Sequence, residues 1–291
     1  MWHHIFYDQL HVNPEDQPLL LTENPWNPRD NRKRMAEIIF EAYKIPALYV
    51  AVPAVLGLYT SGRLTSIVID SGHDSSLSIP IYEGHAIPSA IISSEIAGHE
   101  LTLRLMKLLQ DRGHSFVTNA EYELVRVIKE KVCYVALDFE KELQSTEPNP
   151  ARNSTYELPD GHVADIGKAC FECPECLFKP ELMHHIYDGI HENCCNSIRR
   201  CDRDIHTALS RSMVLSGAST LFPGIVERFT KEVTDAASPL WMIKVTTLPQ
   251  REHSAWMGGS MLASLPTFQK MVISKAEYDE FGPIIVRHKC F

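Results

Sequence analysis

The stretch that decides the fold is Ser66–Gly84, SIVIDSGHDSSLSIPIYEG. It opens with a β-branched run at 67–69, reaches Asp70 and Gly72, and resumes with a second run of alternating apolar residues. β-branched residues favour strands, and a glycine lets the backbone turn tightly between them. The pattern predicts a β-hairpin whose turn, Asp70 to Gly72, could direct backbone amides at a phosphate group.

Helices and strands alternate on both sides of this hairpin. Ala47–Val52 reads as a buried strand, and Arg32–Tyr43 has apolar residues at helical spacing. A leucine-rich helix is predicted to begin near Gly98, and another at the capping box formed by Thr118 and Glu121. This alternation indicates an α/β architecture.

Three segments in the second half of the chain complete this outline. Val214–Val226 repeats the order of strand, small-residue turn and helix. Trp256–Leu265 predicts a helix in which a glycine pair allows close packing, and Gln144–Ser154 reads as a loop rich in proline and asparagine.

Composition narrows the classes of protein that the chain can represent. The 291 residues are 44% hydrophobic, which is enough to bury a sizeable core, and the formal net charge is −9 without a block of like charges. An acidic chain of this kind is poorly suited to nucleic acid or to an anionic membrane. The apolar runs are too short to cross a bilayer, and the N-terminus lacks the layout of a signal peptide. We expect a soluble cytoplasmic protein.

The cysteines leave two interpretations open. Clustered cysteines with nearby histidines are typical of zinc or iron–sulfur sites. The alternative is a set of free thiols in a reducing cytosol, and it is favoured because Pro174 interrupts the first cluster and no second C-x-x-C pair follows. The side chains concerned are Cys170, Cys173, Cys176, Cys194, Cys195, Cys201, His184, His185 and His191.

Several motifs, spread along the chain, together carry a family resemblance. They are VIDSG at 68–72, ELPDGHV at 157–163, CDRDI at 201–205, VLSGASTLFPGI at 214–225, WMGGSMLASL at 256–265 and the final RHKCF. In these motifs and their order the chain resembles the actin family, and within it conventional actin, along its whole length. The resemblance implies an actin-like fold, which is a duplicated ribonuclease-H-like α/β fold, with its first half incomplete.

The same resemblance implies a domain organisation. Relative to the family, we expect this sequence to lack an N-terminal segment that carries the first phosphate-binding turn and the small subdomain 2. Residues 1–60 and 254–291 would be the remnant of subdomain 1. Residues 61–96 and 186–253 would form subdomain 3, and residues 97–185 would form subdomain 4.

A nucleotide site also follows from the resemblance, with ATP and magnesium as the implied cofactors. Asp70 resembles the carboxylate that holds a metal-bound water, and Gly72 resembles the position closest to the phosphates. The remaining matches lie on the ribose and base side of the family's site: Gly98, Lys129, Glu130 and Gly217.

The chain departs from the family at positions that matter for hydrolysis. His73 and Asp74 stand where the family has aspartate and glycine. Pro53 replaces the glutamine that orients the attacking water, and Leu77 replaces a histidine of the water network. Because neither replacement can hydrogen-bond a water through its side chain, we expect no catalytic residue and no ATPase activity. Changes on the base side are Ala218, Phe222 and Glu252.

A surface for partners is implied as well. In the family an apolar cleft receives helices of binding proteins and the loop of a neighbouring subunit, and methionines suit such adaptable docking. The matching positions are Tyr59, Met257, Met261, Leu262, Leu265, Thr267 and Met271. We expect actin and actin-binding proteins as partners, and neither nucleic acid nor membrane.

The primary hypothesis is therefore a divergent, N-terminally shortened cytoskeletal protein of the actin family, with weak nucleotide binding and without hydrolysis. A polymerising actin-like ATPase is the first alternative. The second is the unstable product of a decayed actin gene copy, because removing strands from a sheet exposes core surface and new strand edges.

Overall fold

The hairpin expected at the start of the opening stretch is present in the computed structural model, which describes residues 1–114, 116–145, 155–159, 161–247 and 250–290. Ser66–Ser71 pairs antiparallel with Ser76–Tyr82, and Val68 lies opposite Ile79. Most of the loop expected over Gln144–Ser154 lies outside the described residues.

The described residues form eleven strands, most of them short. They are β1 (Leu19–Thr22), β2 (Ala47–Ala51), β3 (Ser66–Ser71), β4 (Ser76–Tyr82), β5 (His85–Ala86), β6 (Ile92–Ser94), β7 (Thr155–Glu157), β8 (Val163–Asp165), β9 (Met213–Ser216), β10 (Val245–Thr247) and β11 (Ile273–Ser274).

The α-helices of the described residues are α1 (Arg29–Glu37), α2 (Pro53–Tyr59), α3 (Gly98–Gln110), α4 (Asn119–Val132), α5 (Phe139–Gln144), α6 (Ala169–Glu175), α7 (Ile190–Arg199), α8 (Arg203–Ser210), α9 (Ile225–Ala236), α10 (Ser254–Ala263), α11 (Phe268–Met271), α12 (Lys275–Phe281) and α13 (Val286–Lys289). Shorter 3₁₀ segments include Ala218–Thr220 and Arg251–His253. None of the helices in the described part of the chain is both long enough and apolar enough to span a bilayer.

The strands form three sheets. The largest has the order β10-β9-β3-β4-β5, with β6 also paired to β4. In it β3 runs parallel to β9 and antiparallel to β4, so the hairpin lies at the centre of a mixed sheet. A second sheet has the order β1-β2-β11, and β7 pairs with β8 in a small third one. The chain thus has a mixed α/β fold.

The chain divides into two compact units. The smaller unit contains residues 1–63 and 254–291, and the larger unit contains residues 64–253. The smaller unit therefore joins the two ends of the chain around the sheet of β1, β2 and β11. The larger unit contains the hairpin and the other two sheets.

Each unit has its own hydrophobic core. In the larger unit Ile67 and Ile69 of β3 pack with Leu215 of β9 and with apolar side chains of α3, α4 and α9. In the smaller unit Phe40 and Tyr278 stack with ring centroids 4.5 Å apart. Burial of such aromatic and branched side chains is the main stabilising contribution to each unit.

Two local sequence signals determine where helices begin and how closely they pack. At the start of α4, the side chain of Thr118 accepts a hydrogen bond from the Glu121 amide, and the Glu121 carboxylate accepts one from the Thr118 amide. In α10 a Cβ at Gly258 would lie 1.8 Å from the Leu56 carbonyl oxygen, whereas one at Gly259 would meet only side chains at 3.5 Å. Gly258 therefore permits the contact between α2 and α10.

The cysteines are buried free thiols. Burial raises the pKa of Cys176 to about 12 and that of Cys170 to about 11, which keeps both thiols protonated and unreactive. Within the described ranges, no cluster of three or more His, Cys, Asp or Glu side chains is arranged to hold a metal ion.

Candidate functional site

A cavity of about 550 Å³ opens in the larger unit beside the turn of the central hairpin. Its walls come from the β3–β4 turn, the start of α3, one face of α4, the segment after β9 and the 3₁₀ turn at 251–253. The side chains and glycines that line it are Gly72, His73, Gly98, Glu123, Arg126, Lys129, Glu130, Ala218, Ser219, Leu221, Phe222 and Glu252. We call it the hairpin pocket.

The floor of the hairpin pocket is the hairpin turn, which neighbouring elements hold in place. The Gly72 carbonyl accepts hydrogen bonds from the Gly98 amide at 3.0 Å and from the Ser219 hydroxyl at 2.8 Å. The His99 amide donates to the His73 carbonyl at 2.8 Å. A side chain at position 72 would meet no atom within 4 Å. Packing therefore does not require glycine there, and its absence of a side chain leaves open space in the pocket.

At Gly98 and Gly217, unlike at Gly72, close packing of the surrounding atoms requires glycine. A Cβ at Gly98 would lie 3.0 Å from the Gly72 carbonyl oxygen, so the start of α3 could not approach the turn as closely. Gly217 has φ +86°, and a Cβ there would lie 2.3 Å from the Ser71 carbonyl oxygen. Both glycines serve the close packing of backbone around the pocket.

One wall of the pocket is the exposed face of α4, where charges pair along the helix. The guanidinium of Arg126 donates from Nε to Glu123 and from Nη1 to Glu130, each at 2.8 Å. Such pairs at i,i+3 and i,i+4 spacing are neighbours on a helix. The hydrogen bonds to the two carboxylates raise the pKa of Arg126. The arginine is therefore a permanent cation with its donors directed along the helix.

Lys129 crosses from α4 to the start of α3 and is buried. Its ammonium donates to the Gly98 carbonyl at 2.5 Å and to the Thr102 hydroxyl at 2.8 Å. Burial lowers the pKa of Lys129. This side chain joins the two helices that form the pocket, so its first role is to hold their spacing.

Asp70 lies behind the pocket and does not line it. Its position on β3 is opposite Ser216 of β9 and Leu77 of β4. Burial raises the pKa of the Asp70 carboxyl, and a hydrogen bond with the Ser216 side chain opposes that rise. A Cβ at Gly217 would lie 2.8 Å from Oδ1 of Asp70, so the backbone at Gly217 passes close to this carboxyl.

His73 stands at the exposed tip of the turn. Its Nε2 lies 3.8 Å from a carboxylate oxygen of Asp74, and its ring centroid lies 5.4 Å from that of His99. His99 Nδ1 in turn lies 2.8 Å from the hydroxyl of Tyr122. The tip of the turn thus presents imidazole rings beside the hairpin pocket.

The expected partner residues occupy the α2 and α10–α11 region of the smaller unit. Leu262 is only 6% exposed and packs in a small core with Leu56 and Phe268. Met261 and Leu265 are 53% and 50% exposed, and they lie beside that core. Half-buried positions in the same region are Tyr59, Met257 and Met271, and Thr267 is exposed. We call the exposed pair with these four residues the methionine surface.

Compared with known protein families, the chain matches Actin over residues 1–291. The chain belongs to the actin family. The mixed α/β fold agrees with this membership.

Set against the sequence predictions, the hairpin pocket brings together Gly72, Gly98, Lys129 and Glu130. Asp70 and Gly217 lie outside its lining. Sequence reasoning missed Glu123, Arg126, Ser219 and Leu221 as pocket residues. The alternation of acidic and basic residues at i,i+3 and i,i+4 spacing in EYELVRVIKE was the signal that could have pointed to the Arg126 pairs.

Actin-family proteins generally bind ATP with magnesium, and the two parts of that cofactor fit this chain differently. The pocket has the volume and the mixed apolar and polar lining that suit a nucleoside. The metal does not fit, because the one matching carboxyl among the described residues, Asp70, lies outside the pocket lining and hydrogen-bonds the Ser216 side chain. Among the described residues no cluster of metal-ligating side chains stands in its place.

Proposed function

We propose that this chain is a cytoplasmic, cytoskeletal protein of the actin family that binds a nucleoside or nucleotide weakly in the hairpin pocket and does not hydrolyse it. The observation that carries the proposal is the pocket itself, a cavity of about 550 Å³ where Gly72 leaves open space beside Lys129 and Glu130. The binding is weak because the pocket offers few unpaired polar groups to a phosphate.

Two side chains support the absence of hydrolysis. Pro53 begins α2 and Leu77 is buried in β4, at the positions where the family resemblance expects a glutamine and a histidine. Hydrolysis of a nucleoside triphosphate at its phosphoanhydride bond needs a group that orients the attacking water. Neither proline nor leucine has a side-chain atom that can do so.

Calorimetric titration of the full chain with adenosine and with guanosine tests the binding part of this proposal. We expect weak, saturable binding of at least one nucleoside. Gly72→Ala should reduce that affinity several-fold, because its methyl group would enter the pocket floor, while the melting temperature stays within about 2 °C of wild type. The Gly72 position has no packing neighbour, so this variant separates binding from folding.

A matched control is Ala237→Gly, an alanine at the end of α9 and away from the pocket. It should leave nucleoside affinity unchanged. The proposal is wrong if neither nucleoside binds, or if Gly72→Ala binds both as well as the wild-type chain.

A second function is favoured by the methionine surface. Met261 and Leu265 expose about half of their surface beside a fully packed core, and Trp256 on the same helix is 76% exposed. Exposed apolar side chains over a rigid base are typical of surfaces that receive an amphipathic helix. We infer that this surface binds actin or an actin-binding protein.

Retention on immobilised profilin, and on a short amphipathic helix from an actin-binding protein, tests this second function. The double variant Met261→Asp with Leu265→Asp should lose retention by at least about tenfold, because two charges would be buried on binding. Leu103→Asp, at a leucine of α3 that is 41% exposed, is the matched control and should bind normally. Equal retention of all three proteins would disprove a docking role for the methionine surface.

A further inference from the structure

The two cations among the described lining residues of the hairpin pocket both form hydrogen bonds within the protein. Arg126 directs Nε and Nη1 at the carboxylates of Glu123 and Glu130, each at 2.8 Å. Lys129 is buried and directs its ammonium at the Gly98 carbonyl and the Thr102 hydroxyl. A phosphate group entering the pocket would have to compete with these partners for either cation.

Glu252 is the remaining carboxylate among the described lining residues, and the hydrogen bonds of the neighbouring Arg251 determine where it lies. Arg251 donates from Nε to the Thr220 hydroxyl at 2.8 Å and from Nη2 to the Thr220 carbonyl. The Gly217 amide donates to the Arg251 carbonyl at 3.4 Å. These bonds attach the 3₁₀ turn to the segment after β9, so Glu252 lies on the same wall as Ala218 and Phe222.

Within the described parts of the chain, no side chain or backbone group forms a hydrogen bond or ion pair with the Glu252 carboxylate; the adjacent Arg251 interacts with it only through space. The described lining residues carry three carboxylates, those of Glu123, Glu130 and Glu252, and two cations, Arg126 and Lys129, which leaves one negative charge in excess. That excess disfavours a polyphosphate and favours a ligand that brings hydrogen-bond donors.

The apolar part of the lining is next to that carboxylate. Ala218, Leu221 and Phe222 follow β9 and form the wall on which Glu252 lies. A planar base that contacts this wall would have its edge within reach of an acceptor-only group. Guanine presents two N–H donors side by side, from N1 and from the 2-amino group, and a carboxylate can accept both. Adenine presents its N1 lone pair at the same edge, and this lone pair repels a carboxylate.

We propose that the hairpin pocket selects a neutral nucleoside of the guanosine type, recognised through the N–H donors of its base by Glu252, over adenosine and over nucleoside polyphosphates. This inference rests on the proposed nucleoside binding at the same pocket. It assigns Glu252 as the residue that determines base specificity.

The test is calorimetric titration of the full chain with guanosine, adenosine and GTP in the absence of divalent metal. Wild type should bind guanosine about tenfold more tightly than adenosine, the effect of one well-formed bidentate pair. GTP should bind less tightly than guanosine. Glu252→Gln should reverse the base preference, because an amide offers one acceptor and one donor, which matches the edge of adenine.

Glu252→Lys should remove the preference for guanosine and raise the affinity for GTP relative to guanosine, because it replaces the excess negative charge by a positive one. Glu227→Lys, which makes the same change of charge on the exposed face of α9, is the matched control and should behave as wild type. Glu252 is exposed, so both of its variants should fold.

The possible results distinguish a failure of guanosine selection by Glu252 from a failure of nucleoside binding in the hairpin pocket. If guanosine and adenosine bind equally, or if the ratio of their affinities is unchanged in Glu252→Gln, the inference is wrong while nucleoside binding stands. If neither nucleoside binds wild type, nucleoside binding itself is wrong, and the inference fails with it. If Glu227→Lys changes the preference as Glu252→Lys does, general charge and not Glu252 determines the ligand.

Discussion

The hairpin pocket and the methionine surface are built on opposite principles. In the pocket polar partners hold the side chains: Lys129 is bonded to Gly98 and Thr102, and Arg126 to two carboxylates. At the methionine surface the backbone provides the rigidity, through the close approach of α10 to α2 at Gly258. A site of the first kind can discriminate between ligands by charge and donor pattern, and one of the second kind can adapt to different apolar partners.

The largest effect that this comparison predicts is at Gly258. Gly258→Ala should lower the free energy of unfolding by about 3 kcal/mol, because the new methyl would overlap the Leu56 carbonyl and the backbone cannot move away without separating two helices. Urea denaturation measures the change, and retention on a helical ligand should fall with it.

Gly259→Ala is the matched control in the same helix, because a methyl there would meet only Leu20 and Leu56 side chains at ordinary contact distance. It should raise stability by about 0.5 kcal/mol through its better helix propensity. If both alanine variants were equally stable, backbone contact would not be what makes the methionine surface rigid.

At Lys129 we predict the next largest effect. Lys129→Met should cost about 2 kcal/mol of unfolding free energy, because two hydrogen bonds from a buried ammonium are lost and their acceptors stay buried. It should also weaken nucleoside binding, since α3 and α4 would lose the contact that holds their spacing. Lys131→Met, on an exposed position of the same helix, should cost less than about 0.5 kcal/mol. If the two variants lost the same unfolding free energy, the hydrogen bonds of Lys129 would not be what stabilises the pocket.

The parts of the fold and of the candidate site that could be predicted from the sequence are those that depend on patterns among neighbouring residues. The central hairpin, the capping box at Thr118 and the helix containing Gly258 all follow from patterns within a few residues, and the structure has them at the expected places. The helix expected over Arg32–Tyr43 shows the limit of such patterns, because its α-helical part ends at Glu37 and a π-helical segment follows.

The hairpin pocket could not be predicted from local sequence patterns, because contacts between distant residues form it. Lys129 bonds the Gly98 carbonyl from 31 residues away, and Arg251 bonds Thr220 at the same separation. The difference between Gly72, which faces open space, and Gly217, which backbone packing requires, depends on neighbours brought in by folding. The resemblance to the family pointed to these positions, but only the contacts distinguish a packing role from a binding role.

Apart from the control variants, the smallest effect that we predict concerns the hydrogen bonds that attach α12 in the smaller unit. A hydrogen bond from Lys289, together with bonds from the amide and hydroxyl of Ser274, lowers the pKa of Glu277 to about 2 from its ordinary 4.5. A lowered pKa means that the stabilisation is complete above the ordinary value and is lost as the pH falls towards 2. Because the side chain is a third exposed, Glu277→Gln should cost only about 1 kcal/mol at pH 7.

That cost should shrink between pH 4.5 and pH 2, the window set by the two pKa values. Urea denaturation of wild type and Glu277→Gln across this range measures it, and Glu280→Gln in the same helix, where no hydrogen bond or ion pair is found among the described residues, is the control. If the difference in unfolding free energy between wild type and Glu277→Gln stayed constant with pH, the hydrogen bonds of the ionised Glu277 would contribute little to the stability of the smaller unit.

The central proposal is that this member of the actin family binds a nucleoside or nucleotide weakly in the hairpin pocket and does not hydrolyse it. Equilibrium dialysis of terminally labelled GTP and ATP against excess protein, followed by chromatography of the retained label, tests it most directly. Because triphosphates bind weakly, the account predicts that a small part of the label is retained, as intact triphosphate. It also predicts that Gly72→Ala retains less and that inorganic phosphate stays at the level of the buffer alone. Release of phosphate in proportion to wild-type protein, reduced in Gly72→Ala, would contradict the account and favour a working ATPase.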